Sequence, residues 1–176
     1  MVRHLISLVV MGGMFYTAVR ADEKWETFTS KDGKYSVSLP GKPTESEKKV
    51  DSSTGELTIH MALLAPNNDL AYLVTYNDYP EAALSGTDKD GMLDNVRDLN
   101  LKSFGGKVAS EKKINIGKDK FPGREILLEK PSETAVYRAR IFLVNNRLYQ
   151  IVIVAPKDIA TNMGTDKYLE SFKLSE

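Results

Sequence analysis

Ile141-Phe142-Leu143-Val144-Asn145-Asn146-Arg147-Leu148-Tyr149-Gln150-Ile151-Val152-Ile153-Val154 sets two apolar runs on either side of an asparagine pair. Asparagine tolerates left-handed φ, so Asn145-Asn146 suits a two-residue hairpin turn. A strand with one wet face alternates apolar and polar residues, whereas these runs are apolar on both parities. Thr134–Val144 and Arg147–Ala155 are therefore expected to be central strands, covered on both sides.

Two covers can be read in the flanking sequence. Beyond Pro156, Ile159 and Met163 precede Tyr168, Leu169 and Phe172 at helical spacing, which predicts a C-terminal helix capped by Thr165. Upstream, a long helix is predicted from about Asp88 to Phe104, with Thr87 or Asp88 as N-cap and Asp90 near the positive end of its dipole. Met92, Val96, Leu99 and Ser103 form its inward stripe, with Leu93 beside it, and Gly105-Gly106 ends it.

Further strands fill the rest. Val108–Ile116 and Arg124–Lys130 lie between the long helix and the central pair. Glu56–Ala65 and Leu70–Tyr76 make a hairpin around Pro66-Asn67-Asn68-Asp69, after a polar strand or loop through Val50 and a turn at Ser52–Gly55. Trp25–Thr29 and Lys34–Leu39 make another around Asp32-Gly33, where the glycine is expected to supply positive φ. Tyr35, Val37 and Leu39 alternate with polar residues, and Pro40 and Pro43 end that strand. No repeat or low-complexity tract divides the chain. The fold class is α+β: an antiparallel sheet of about six or seven strands, flanked by a long helix and a C-terminal helix in an α/β/α sandwich.

The N-terminus has a different character. Arg3 and His4 precede an apolar run from Leu5 to Val19, and Ala21 stands before the charged Asp22-Glu23-Lys24. That is the order of a secretory leader, and the run is shorter than the roughly 20 residues of a spanning helix. Residues 1–21 read as a signal peptide and 22–176 as a single domain; an uncleaved N-terminal anchor is the competing reading. The mature chain is expected to be periplasmic or extracellular, with no stable membrane span. Losing Arg3 and Arg20 leaves a net charge of about −2. Such a balance offers nucleic acid no electrostatic footprint. With no cysteine in the sequence, thiolate metal sites, thiol nucleophiles and a lipoprotein anchor are excluded.

The element order, together with Asp32-Gly33-Lys34-Tyr35-Ser36-Val37-Ser38-Leu39-Pro40-Gly41-Lys42-Pro43 and Tyr168-Leu169-Glu170-Ser171-Phe172-Lys173-Leu174, resembles the PsbP/Mog1-like superfamily of α/β/α sandwiches. It is similar also to a loose class of exported bacterial domains of unknown function. The resemblance implies a non-enzymatic accessory or binding role and carries no ligand set onto particular residues.

Motifs for chemistry are sparse. Asp88-Lys89-Asp90-Gly91 fails as a calcium loop, because with Gly91 at the sixth position Arg97 would stand where the bidentate glutamate belongs. Ser46-Glu47-Lys48-Lys49 and Ser110-Glu111-Lys112-Lys113 match Ser-x-x-Lys without its companion motifs. Only His60 remains after leader removal, so neither a Ser-His-Asp relay nor a two-histidine zinc site is expected, and it shares parity with Thr58 and Ala62. No cofactor motif is present. Arg138 and Arg140 share one parity and offer a docking surface for carboxylates or phosphates; cross-strand pairing with Glu125 or Glu129 is the alternative. Tyr76 and Tyr79, with Tyr72, offer a partner groove or simply fill a sheet face. The function expected is an extracytoplasmic binding or accessory domain, its partner an envelope or secreted protein complex. A small carboxylate-dependent hydrolase and a carrier of a small apolar ligand are the alternatives.

Overall fold

The computed structural model describes residues 24–52, 55–130 and 133–175. The expected leader, residues 1–21, lies outside the described residues. In chain order the elements are β1 (Glu26–Ser30), β2 (Tyr35–Leu39), β3 (Thr44–Ser52), β4 (Gly55–Leu64), β5 (Ala71–Asp78), α1 (Glu81–Leu84) and α2 (Lys89–Phe104). They continue with β6 (Lys107–Ile116), β7 (Phe121–Glu129), β8 (Ala135–Val144), β9 (Arg147–Pro156), α3 (Lys157–Ala160), α4 (Met163–Ser171) and β10 (Lys173–Leu174).

Seven strands form one antiparallel sheet in the order β3-β4-β5-β9-β8-β7-β6. The doubly apolar runs lie at its middle, as their pattern demands. Val144 faces Arg147 across the Asn145-Asn146 turn, with Asn145 at φ 54°. Ile151 and Ile153 on one face are fully buried, and Val152 on the other is 3% exposed. Each such side chain contributes about 1.5–3 kcal/mol by leaving water.

The two covers differ in kind. On one face sit α3, α4 and a small second sheet of order β1-β2-β10, so the first hairpin stands outside the main sheet. Tyr35, Val37 and Leu39 of β2 meet Tyr72, Ile151 and Ile153, and Tyr168 of α4 sits between the layers. Its hydroxyl donates to the Leu73 carbonyl at 3.1 Å. On the other face α2 lies over β7 and β8, with Leu93, Val96 and Phe104 packed on Ile126, Leu128 and Ile141. Arg124 of β7, almost wholly buried, reaches Asp90 at 2.7 Å and Asp94 at 3.2 Å and so fixes the helix's first two turns.

Three local expectations change. At the first turn Lys34, not Gly33, takes positive φ, at 52°. Gly33 is needed instead for space, because a Cβ there would stand 2.6 Å from the Tyr35 ring and 2.7 Å from Ser30 Oγ. The C-terminal helix is capped by Asn162, whose Oδ1 accepts from Thr165 N at 3.0 Å. Thr165 itself is buried one turn inside, donating its hydroxyl to Ile159 O at 2.6 Å. Finally, Leu99 of α2 is 64% exposed rather than inward. Asn100 takes the sheet-facing position, donating from Nδ2 to Gln150 Oε1 at 2.8 Å, which turns Leu99 aside. Among the described residues no helix is long and apolar enough to cross a membrane.

Candidate binding groove

The helical cover on the α2 face spans only part of the sheet. Beyond β8 the sheet continues through β9, β5, β4 and β3, and by alternation each sends side chains toward the same side as α2. Val50 stands opposite Leu57, and Asn77 opposite Leu148, with Ile59 and Gln150 on the same face. These residues floor a groove of about 820 Å³ whose wall is the flank of α2, with Met92, Asn95, Val96 and Leu99. Its size falls within the range of small-molecule sites.

One end of the groove is built by the chain leaving β5. Tyr79 N donates to Asn146 O at 2.8 Å, and Asn146 Nδ2 returns a bond to Tyr79 O at 3.0 Å. The turn between β8 and β9 thereby holds the Tyr79 segment against the sheet. Tyr79, Ala83 and Leu84 close that end, and burial raises the Tyr79 hydroxyl's pKa above the ordinary tyrosine value. Asp88 then starts α2, its Oδ1 accepting from Asp90 N at 3.0 Å.

Asn77 is the exceptional residue of this surface. It is 5% exposed, and its Nδ2 is buried without a hydrogen-bond partner. The Tyr79 hydroxyl lies beside the amide, which opposes the rise in the hydroxyl's pKa that burial causes. A buried donor left unpaired costs about 1–3 kcal/mol. The remaining polar lining is mostly neutral, from Asn95, Asn100, Gln150 and Thr87, with carboxylates from Asp51 and Asp88 and, among the described residues, no lysine or arginine.

The residues singled out in sequence are spread over both faces. Tyr79 lines the groove; Tyr76, of opposite strand parity, lies on the far face, where the His60 ring stacks on it at 4.5 Å and the Arg147 guanidinium covers it at 4.7 Å. Tyr72 packs edge-on against Tyr168 at 5.0 Å. Arg138 and Arg140 both reach Glu125, each at 2.8 Å, and Arg138 also reaches Asp166 at 2.6 Å. Their donors extend to the carbonyls of Ala160 and Leu169, so both guanidiniums tie β8 to α3 and α4. Sequence reading missed Asn77, and the signal was an amide inside the apolar run of β5.

The carboxylates with shifted pKa move the wrong way for a general acid. Burial pushes Glu125 up, but hydrogen bonds from Arg138 and Arg140 outweigh it and hold the carboxyl low. Hydrogen bonds from Arg147 lower Asp78, and those from Arg124 and Lys113 lower Asp90. Among the described residues no group of three or more histidine, aspartate or glutamate side chains is placed to hold a metal ion.

Together, a seven-stranded sheet between α2 and a second layer of helices and small sheet is a PsbP-like α/β/α sandwich. The chain is similar to the solved solution structure of cyanobacterial PsbP (CyanoP) from Synechocystis sp. PCC 6803, with a TM-score of 0.56 and 13% identity over 95% of this chain and 99% of that one. At this identity the likeness is one of fold. A protein of unknown function, PA94 from Pseudomonas aeruginosa, aligns with a TM-score of 0.36 and 9% identity over 81% of this chain and 90% of its own, too little to argue from. No family model matches the chain, and no curated protein matches it.

Proposed function

We propose that this chain is a non-enzymatic extracytoplasmic binding or accessory domain whose working surface is the groove beside α2. The observation that carries the reading is the groove of about 820 Å³ beside α2, floored by the part-exposed Ile59 and the largely buried Leu57 and Leu148. A well-formed, mostly apolar pocket with a few polar groups is where a binding site is sought first. The arginine-depressed carboxylates, none of which lines the groove, favour binding over hydrolysis there. The PsbP-like fold, shared with a protein named for PsbP, is consistent with an accessory role.

Filling the groove tests this directly. Asn95 is exposed on α2 and lines the opening, so Asn95→Trp adds bulk without disturbing the core. Saturable binding of the fluorescent apolar probe N-phenyl-1-naphthylamine is expected for the parent protein, weakened about tenfold or more by Asn95→Trp at unchanged melting temperature. Binding that does not saturate, or that ignores the substitution, would contradict the reading.

Export belongs to the same proposal, supported by the basic, apolar and small-residue order of residues 1–21. The protein recovered from the exported fraction is expected to begin at Asp22; recovery with Met1 intact would contradict cleavage. A partner in an envelope or secreted complex is also proposed, and a photocrosslinker placed at the exposed Leu99 is expected to capture it from that fraction.

A further inference from the structure

A second cleft lies on the other side of the sheet, where the turn between β1 and β2 faces β3, β4 and β5. Glu47 of β3, His60 of β4 and Tyr76 of β5 stand in one row across the ladders, and Glu45, two residues from Glu47, points the same way. Ser30, Asp32 and Tyr35 form the opposite wall of a space of about 250 Å³. We infer that this cleft receives a guanidinium head group, with Asp32, Glu45 and Glu47 supplying the countercharge and the Tyr76 hydroxyl an acceptor.

Tyr76 is 7% exposed, and among the described residues its hydroxyl has no hydrogen-bond partner. That hydroxyl is not sealed inside the protein, because among the described residues Asn77 Nδ2 is the one side-chain atom both closed to solvent and unpaired. It therefore opens into the cleft that Tyr76 lines. Stacking on His60 and the contact with the Arg147 guanidinium use the ring alone, so a phenylalanine would serve the packing equally and the hydroxyl needs another reason.

The charge around it is one-sided. Among the described residues no lysine or arginine lines the cleft, and no ion pair or hydrogen bond reaches the carboxylates of Asp32 and Glu45. Arg147 cannot supply the missing cation, since both Asp78 carboxylate oxygens hold it at 2.6 and 2.7 Å and the Asp32 carbonyl at 2.8 Å. Elsewhere Asp78, Asp90 and Glu125 are each met by an internal arginine. No three of the acidic and histidine side chains are placed to hold a metal ion, which favours a cation that spreads its charge over several donors. A guanidinium fans five N–H donors in a plane, and it is more weakly hydrated than an ammonium. It therefore suits acceptors arriving from two walls and leaves water at lower cost.

The test is a methyl NMR titration of the purified protein at pH 8 and low salt, read at Met61 and Ala62, with ethylguanidinium, ethylammonium, tetramethylammonium and ethylurea as probes. Ethylguanidinium is expected to saturate and to bind about tenfold more tightly than any of the other three. Tyr76→Phe should weaken that binding about tenfold at unchanged melting temperature, and so should Glu45→Gln, at an exposed position. A purely structural Tyr76 would show the reverse, a lowered melting temperature with ethylguanidinium binding intact. Tetramethylammonium binding as well as ethylguanidinium reduces the cleft to a diffuse acidic surface and overturns the inference. Ethylammonium or ethylurea matching ethylguanidinium overturns it too, as does a titration that fails to saturate by about 50 mM. A blocked tripeptide with a central arginine separates the two sources of such a head group: binding equal to that of ethylguanidinium assigns it to an arginine side chain of a partner protein, and exclusion of the peptide assigns it to a free small molecule.

Discussion

Glu125 sits between Arg138 and Arg140, 2.8 Å from each, in the layer where β7 and β8 meet α4. Its folded pKa is lowered, so the contribution it makes is fully present above the unfolded value near 4.5 and is lost as pH falls through the folded pKa. Replacing it by glutamine leaves two part-buried guanidiniums short of an anion and is expected to cost about 2 kcal/mol at neutral pH by urea titration. Below about pH 4.5 the gap between parent and Glu125→Gln should shrink; a gap that stays constant down to pH 2 would deny the ion pair its role. Gly123 is a second sensitive position. An added Cβ would collide with the Phe142 ring and the Ile141 carbonyl, so Gly123→Ala is expected to cost about 2 kcal/mol in the same titration. Sequence showed that the two arginines share a parity, and it offered both Glu125 and Glu129 as partners. Register decides between them: Glu125 lies directly opposite Arg140, and Glu129 pairs with Lys157 at 2.7 Å instead. That register depends on the path between β7 and β8, which parity cannot reveal.

Among the elements, β3 and β6 are the margins of the large sheet, and both carry the string Ser-Glu-Lys-Lys. Read as enzyme motifs, Ser46–Lys49 and Ser110–Lys113 lead nowhere; as edge strands, they show why the string recurs. Charged side chains on an exposed edge deter pairing with another molecule's strand. Replacing Glu47, Lys48 and Lys49 together by valine is expected to turn β3 into an adhesive margin, read as dimers and larger species in size-exclusion chromatography at micromolar concentration. A monomer under those conditions would refute this explanation. Helix α2 was legible in extent, because Asp88 caps it and Gly105, at φ 83°, stops it with a bond from its N–H to Leu101 O at 2.7 Å. Its orientation was not, since the stripe through Leu99 and the stripe through Leu93 lie close together on the helix surface. Contacts with Arg124 and Gln150 select the second, and those partners are remote in sequence.

For the whole molecule, the two doubly apolar ribbons required covers on both faces, and the layers follow from them. What stayed hidden is how unequal the covers are. The small sheet closes only when Lys173 and Leu174, at the far end of the chain, pair with Ser36 and Tyr35. On the opposite face a single helix lies over β7 and β8, and a groove of about 820 Å³ runs between its flank and β3, β4, β5 and β9, a gap no local pattern encodes. The most direct measurement is therefore a methyl NMR titration of the purified protein with N-phenyl-1-naphthylamine. Shifts should be confined to Ile59, Leu57, Leu148 and Val96 around the groove, saturating together, with Ile151 and Ile153 on the other face unmoved. Shifts spread over both faces, or centred on the β2 and α4 side, would contradict the groove as the molecule's working surface.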